Sequence, residues 1–485
     1  MKLYQSLAEH YVDDIQAGRL PTGSRLPALR RVADQHGISL TTAVKAYQYL
    51  EQCGWIIAQP QSGFFVAEKK PTSKSPLLPS FKAEPHDPKA CAPAAGYNPI
   101  VGFSSPLGTS MLSPELLPTQ GLQLSIKRAA ARAGRSLHYY PEPQGDAGLR
   151  ACLAQHFLKY DFAFLDTDLV ITNGCLHAIQ IAINTVSKEG DALAISSPCF
   201  SGLLDLLSNM SRKIIEIPCT EEGLDLDQLE AHMREKTIVA GLFSTSHMNP
   251  TGTSLSTEQK QKLAALAAEY QIPVIEDDIY LELGHYRKPP LPAKHWDKAG
   301  YIIWCGSVSK TLAAGFRLGW CLPGRHIDAY VTQHKTTSFG VNTLLQSSLT
   351  DFINSGLYLS HLNKVRRALQ QQALQYQQYL SEHLPDTARI SQPVGGLVLW
   401  VQIPNLDAEA LTQQAWCEKI DIRSGISFST QDYYRDCFRV NFGWALDKEE
   451  GGNKQGAPSA VQQLARVCEL VSQAFSKNSP DKKIR

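Results

Sequence analysis

The chain has 485 residues, 43% of them hydrophobic, and 47 Lys and Arg against 46 Asp and Glu give a formal net charge of +1. That length suits two or three domains with packed cores, and the balanced charge excludes a polybasic protein, so any nucleic-acid contact must rest on a local patch. No apolar run reaches the ~18 residues that span a membrane, residues 1–10 (MKLYQSLAEH) are amphipathic rather than a signal-peptide core, and the 11 cysteines include no CxxC pair, which reads as reduced thiols in a cytoplasmic protein.

Residues 1–67 predict three short helices and a hairpin. The first carries Leu3, Leu7, Val12 and Ile15 and stops near Gly18. The second covers 26–36, with Gly37 as its stop. Ser39 caps the third, which turns Val44, Ala46, Tyr47 and Leu50 toward a core and ends at Gly54. WIIA (55–58) and GFFV (63–66) are β-like runs on either side of the polar turn QPQS. Two helices joined tightly at HGIS and followed by a hairpin are the plan of a winged helix-turn-helix.

Composition changes over 68–97, where Pro71, Pro76, Pro79, Pro85, Pro88 and Pro93 sit among Lys, Ser and Ala without periodicity. This predicts a semi-extended linker, reaching roughly 90 Å at about 3 Å per residue. From about 98 onward, apolar strands alternate with helical patterns: DLVITNG then CLHAIQIAINTV, DALAISSP, IVAGLFSTS, IPVIEDD and YIIWCGSVSK. Such alternation predicts an α/β fold with a mainly parallel sheet. Helical patterns dominate after 340, including the Gln-rich stretch 362–383, and a Gly-Gly pair opens a strand at 396–403. The expected organisation is a domain at 98–475 with a smaller C-terminal α+β subdomain from about 345, a surface loop at 447–458 and a tail at 476–485.

Lys310 follows the strand YIIWC, at a strand exit where α/β proteins place ligands. Ser307, Ser309 and Arg317 accompany it, and two hydroxyls with a guanidinium suit a phosphate monoester. An amine beside a phosphate site suggests a Schiff base with a phosphorylated aldehyde. Pyridoxal phosphate makes further demands that the chain can be checked against. A carboxylate for the pyridinium nitrogen is offered by Asp277 in VIEDDIY, and Tyr280 follows it three residues on. Asn249 in HMNPTG supplies a donor for the 3-oxygen. Gly174, Cys175 and Leu176 open a helix after a strand, where backbone N–H groups bind phosphate. Phe200 in SPCF is placed to stack on the ring or simply to fill the core. His177 and His247 border these segments and read as satisfied core histidines.

With these motifs in order, residues 98–485 resemble a fold-type I aminotransferase and residues 1–67 a GntR-family winged helix; the tandem resembles the MocR subgroup of GntR-type regulators. The resemblance implies that Lys310 is the Schiff-base lysine and Asp277 the pyridinium partner. It further implies that Asn249 and Tyr280 bind the 3-oxygen, and that Ser307, Ser309 and Arg317 hold the phosphate. Tyr140, rather than the adjacent Tyr139, matches a tyrosine that reaches the neighbouring subunit's phosphate, which implies a homodimer. Arg439 in CFRVNFGW matches the arginine that forks onto an amino-acid carboxylate, its alternative being a structural salt bridge.

In the winged helix the implied DNA contacts are Arg30, Thr41, Thr42 and the wing at Ser62 and Gly63, with Arg31 and Lys45 as further candidates. Leu40 stands where the family usually has arginine, which implies apolar contact with a thymine methyl in place of guanine readout. Six Lys and Arg against five Asp and Glu in 1–67 predict weak non-specific binding by one isolated domain, which two domains in a dimer would offset. The expected function is a transcriptional regulator that binds double-stranded DNA and uses pyridoxal 5'-phosphate to sense an amino acid, an amine or the cofactor itself. A working aminotransferase acting between an amino acid and a 2-oxo acid is the second reading. A DNA-binding protein whose large domain only dimerises fits less well, since every cofactor position holds a suitable residue.

Overall fold

A computed structural model describes residues 3–16, 19–21, 23–52, 55–59, 62–66, 74–88, 106–220, 223–285, 288–446 and 459–477. It divides into two compact units, Met1–Ser73 and Lys74–Arg485. Pro60 and Gln61 of the turn at 59–62, the loop at 447–458, linker residues 68–73 and 89–97, and the tail beyond 477 lie outside the described residues.

In the smaller unit, α1 (Leu3–Gln16), α2 (Leu29–Gln35) and α3 (Leu40–Gln52) precede β1 (Ile56–Gln59) and β2 (Gly63–Val66), which pair antiparallel. Tyr11, Val32, Ala43, Ala46, Tyr47 and Leu50 share its core. Ser39 caps α3, its hydroxyl accepting from the Thr42 N–H at 3.1 Å. Two expectations shift. The buried stripe of α3 starts at Ala43, leaving Val44 half-buried. And α2 starts at Leu29, not Leu26, because the Leu26 N–H donates to Phe64 O at 2.8 Å and Ala28 is extended, committing that stretch to the wing.

The larger unit opens with 74–88, which carries β3 (Pro85–His86). Then α4 (Thr119–Ala133) and α5 (Ala147–Leu158) lead into β4 (Val170–Thr172) and α6 (Cys175–Val186). Next come β5 (Ala192–Ser197), α7 (Ser201–Asn209), β6 (Lys213–Thr220), β7 (Gly223–Leu224), α8 (Leu226–Arg234) and β8 (Ala240–Phe243). These are followed by α9 (Thr257–Tyr270), β9 (Val274–Asp277), β10 (Ile302–Ser307), β11 (Gly319–Leu322), α10 (Ile327–Ser338), α11 (Thr343–Asn354) and α12 (Leu357–His383). The small subdomain holds β12 (Arg389–Ile390), β13 (Val398–Gln402), α13 (Ala408–Cys417), β14 (Arg423–Ser424), β15 (Cys437–Asn441) and α14 (Ala460–Lys477).

The large sheet runs β3-β6-β5-β8-β9-β10-β11-β4. Its middle, β6 to β10, is parallel. Two antiparallel pairings, β10 with β11 and β11 with β4, turn β4 back into line with β10. The C-terminal ends of β4, β5, β8, β9 and β10 therefore open on one edge, and that edge positions the site. The small sheet is antiparallel, in the order β12-β13-β15-β14.

The boundary between the subdomains differs from the expected residue 345. Leu349 and Phe352 of α11 and Tyr358 and Leu362 of α12 join the core of the large subdomain, while Val365, Leu369 and Tyr376 join that of the small one. One continuous helix is thus buried in both cores, and the division falls inside α12.

Of the semi-extended linker expected over 68–97, residues 74–88 belong to the larger unit and form a strap across both subdomains. On the small one, the Ile390 N–H donates to Lys74 O at 3.0 Å, the Leu77 N–H donates to Gln402 Oε1 at 2.7 Å, and Phe81 stacks on Tyr433 with centroids 4.2 Å apart. On the large one, Gln228 receives the Ala83 N–H at 2.9 Å and donates to Phe81 O at 3.0 Å, and β3 pairs with β6. His86 Nε2 lies 2.6 Å from Thr430 Oγ1 and 3.6 Å from Glu216 Oε1. Burial pushes the Glu216 carboxyl up, but bonds from His86, Ser197, Ser429 and Thr430 outweigh it and hold it below the usual range. Proline-rich composition mimics a linker because prolines have no backbone N–H to pair; here the Leu77 and Ala83 N–H groups find side-chain acceptors 325 and 145 residues away.

Candidate cofactor and ligand site

The sheet edge gathers Lys310, Asp277, Asn249 and Tyr280 around a pocket also lined by Cys175, Leu176 and Phe200. Lys310 follows β10 and its Nζ donates to Ser110 O at 2.7 Å. Burial, with Arg439 nearby, lowers its ammonium to about 8 against the opposing pull of Asp277. Asp277 ends β9 and is 8% exposed, and the Cys175 thiol donates to its Oδ1 at 3.3 Å. Burial raises its carboxyl above the usual range despite Cys175, the Ile279 N–H and Lys310. A carboxylate so placed gains from a cationic N–H beside it. The Tyr280 hydroxyl donates to Ser110 Oγ at 3.0 Å, and burial pushes its phenol to about 12.

A second cluster lies where β10 and α6 meet. The Ser307 and Ser309 hydroxyls are 2.9 Å apart, and Arg317 donates from Nη1 to Ser309 Oγ at 3.5 Å and from Nη2 to Asn173 O at 3.2 Å. Gly174 precedes α6 at φ +93°, where a β-carbon would lie 2.7 Å from Arg317 Nη2. A β-carbon at Gly319 would lie 2.6 Å from the Gly174 carbonyl carbon. Both positions require glycine, and the start of α6 carries no side-chain cap, so its N–H groups face this cluster.

A cleft of about 390 Å³ extends from Lys310 and Asn249 past Phe200 and Phe428 to Arg439. Arg439 is 4% exposed. It donates to Asn249 Oδ1 at 3.0 Å and to Gly108 O, with its guanidinium 5.3 Å from the Phe428 centroid. Among the described residues its Nε is buried without a partner, an unmet donor in the lining of a ligand-sized cleft. Asp421 and Arg423, which sequence reasoning passed over, line the same cleft. Burial raises the Asp421 carboxyl to about 7 against the pull of Arg439, and burial with Arg439 lowers Arg423 to about 9. Ser110 was missed as well. An Asp-x-Arg run leading into a two-residue strand and a serine in a loop carry no motif.

Other expected positions fall outside this cluster. Tyr140 is 87% and Tyr139 74% exposed, and Tyr140 lies against Phe339 with centroids 6.0 Å apart. His177 Nδ1 accepts the Asn173 N–H at 3.3 Å, and burial, with His334, holds it to about 4. His247 is 2% exposed, its Nδ1 3.2 Å from Ser254 Oγ, and burial holds it to about 3. His247 is thus a core imidazole and His177 a half-buried one.

In the smaller unit, Arg30, Arg31, Leu40, Thr41, Lys45, Ser62 and Gly63 are exposed. Thr42 is half-buried, with its hydroxyl 2.8 Å from that of Ser39. Gly63 has φ +105°, and the Arg25 Nε sits 3.4 Å from its β-carbon position, adding Arg25 to the exposed cations beside the wing.

The aminotransferase class I and II model matches residues 116–451. The chain belongs to that family. Residues 3–66 match the gntR family of bacterial regulatory proteins. The HTH-type transcriptional regulator YdcR of Escherichia coli K12 is 33% identical over 473 residues, 96% of this chain and 99% of that one. The probable rhizopine catabolism regulatory protein MocR of Rhizobium meliloti is 25% identical over 82% of this chain and 81% of its own. Among solved structures, the α-aminoadipate aminotransferase LysN of Thermus thermophilus, complexed with N-(5'-phosphopyridoxyl)-L-leucine, superposes with a TM-score of 0.69 at 22% identity, over 78% of this chain and 94% of that one. This aminotransferase-family regulator thus joins a gntR DNA-binding domain to a fold-type I domain. Pyridoxal 5'-phosphate is the cofactor the family indicates, and the residues present fit it: a buried carboxylate, a lysine of lowered basicity, and hydroxyls with an arginine beside a glycine cradle. No helix among the described residues is long and apolar enough to cross a membrane.

Proposed function

We propose that this protein is a pyridoxal-phosphate-dependent transcriptional regulator of the cytoplasm that senses an amine bearing a carboxylate, with the cofactor itself as a further effector. The observation that carries the reading is the unpartnered Nε of Arg439, buried in a cleft that also holds Lys310, in a chain that begins with a gntR domain. Ser307, Ser309, Arg317 and the start of α6 would hold the phosphate, Asn249 and Tyr280 the 3-oxygen, and Asp277 the ring nitrogen with its proton. Phe200 would lie on the ring. Bound there, the cofactor supplies an aldehyde for the amine and a ring that withdraws electrons from the ligand's Cα. Arg439 orients the ligand through its carboxylate. Lys310, neutral above a pKa of about 8, is the group available to take a proton at Cα.

Arg30, Arg31, Thr41, Thr42, Lys45, Ser62 and Gly63 would meet the operator, and a homodimer would present two such domains and bring Tyr140 to its partner's site. The retained proton-transfer groups favour one second reading, a complete aminotransferase. Absorption titration of the cofactor-loaded chain with amino acids and amines, then with a 2-oxo acid, separates the two. A band that shifts and stays shifted, with altered operator binding in a gel-shift assay, supports the sensor. Recovery of the original band on adding the oxo acid supports the enzyme, and no shift with any amine refutes both.

A further inference from the structure

Register sets Arg423 of β14 directly opposite Arg439 of β15. Like charges in that position repel unless an anion intervenes. The protein supplies one. Asp421, two residues before Arg423 and 5% exposed, pairs with that guanidinium: Arg423 Nη2 donates to Oδ2 at 2.9 Å, and the ion pair brings Nε to 2.8 Å from Oδ1. Among the described residues Arg439 donates to neutral acceptors, Asn249 Oδ1 and Gly108 O, and its buried Nε meets none. All three side chains line the cleft that holds Lys310. Of two guanidinium forks facing one ligand space, one awaits a carboxylate and the other is filled from within.

We propose that Asp421 is a specificity-determining residue: by closing the Arg423 fork it restricts the ligand to amines with a single carboxylate and an uncharged side chain, and turns away 2-amino dicarboxylic acids. This rests on the reading that the ligand carboxylate docks on Arg439. A ligand with a second carboxylate would have to break this hydrogen-bonded ion pair in a desolvated wall, leaving Asp421 as a buried anion without its partner. Otherwise its side chain would stay beside Asp421 and Asp205, which also lines the cleft. An uncharged side chain meets Phe200, Trp416, Ile422 and Phe428 on the same walls, where apolar contact is favourable.

The test is cofactor absorption titration of the full pyridoxal-phosphate-loaded chain with leucine and phenylalanine against glutamate, aspartate and 2-aminoadipate. Wild type should respond to the neutral pair at concentrations about tenfold lower or more, the discrimination that one charge-assisted fork confers. Asp421→Asn keeps the shape but frees Arg423, and should narrow that ratio by about tenfold. Adding Arg423→Gln to it should restore the ratio. A wild type that prefers the dicarboxylic acids overturns the proposal without any variant. So does an Asp421→Asn protein in which both classes change alike, or a narrowed ratio that survives in the double variant. A wild type that answers to no amino acid refutes instead the reading of Arg439, and the proposal falls with it.

Discussion

Gly174 offers a single-atom test of the phosphate site. At φ +93°, its missing β-carbon would lie 2.7 Å from Arg317 Nη2 and 3.1 Å from Cζ. Gly174→Ala carries two separable penalties. Holding an L-residue at φ +93° and ψ +168°, a region essentially confined to glycine, costs on the order of 1–3 kcal/mol, felt with or without cofactor as a melting midpoint a few degrees lower. The new methyl also drives the guanidinium from its place beside Ser309 Oγ and Asn173 O. A charge-assisted bond from that arginine to a phosphate is worth about 1.5–3 kcal/mol, so affinity for pyridoxal phosphate should fall roughly 10- to 150-fold. Stripped protein titrated with pyridoxal phosphate, followed by absorbance, gives the second effect, and thermal unfolding of the stripped protein gives the first. Gly315→Ala, two residues before Arg317 with nothing within 4 Å of its β-carbon position, is the control and should change neither by more than about 0.5 kcal/mol. A Gly174→Ala protein that binds the cofactor within about threefold of wild type would refute the placement of Arg317.

Three more outcomes are expected. The Lys310 ammonium, lowered to about 8 by burial and Arg439, attacks an aldehyde only when neutral, so attachment of pyridoxal phosphate to stripped protein should speed up as pH rises through that value; a rate that stays flat there would contradict it. Glu216 above all raises the His86 imidazole from its usual value, so the strap gains stability that is complete below about pH 6.5 and fades as pH passes the raised value. Hydrogen exchange at 74–88, corrected for intrinsic rates, should accelerate across that range in wild type and be fast throughout in His86→Ala; parallel profiles would count against the pairing. Leu40, 46% exposed at the start of α3, should lose about 1 kcal/mol of operator binding on truncation to alanine when a thymine methyl is present and little when deoxyuridine replaces that thymine. Equal losses on both operators would remove the methyl contact.

What could be read in advance were the motifs whose geometry is local. Ser307, Ser309, Lys310 and Arg317 lie within one strand exit, and Asp277 with Tyr280 within another, so spacing alone brought each set together. The sheet followed for the same reason, since apolar runs buried on both faces admit few other folds. Side chains that meet only through tertiary register could not be read this way. Arg439 stood out by its motif, but Arg423 looks like an unrelated charge until β14 and β15 are paired. The strap was hidden for a related reason, because its anchors are Gln228, Gln402 and Tyr433, residues with no periodicity to flag them. The start of α2 was misplaced because the competing partner of Leu26, the Phe64 carbonyl, lies across the wing.

The 27-residue α12 has its first turns fixed in one core and the rest in another, which makes it a lever with its fulcrum near Leu362 to Val365. At 1.5 Å per residue the arm beyond the fulcrum is about 30 Å long. A rotation of only about 10° at the fulcrum would carry its far end by about 5 Å, a full helical turn's rise. Any rotation of the small subdomain about that point would therefore be smallest beside the large subdomain's core and largest at the C-terminal end of α12.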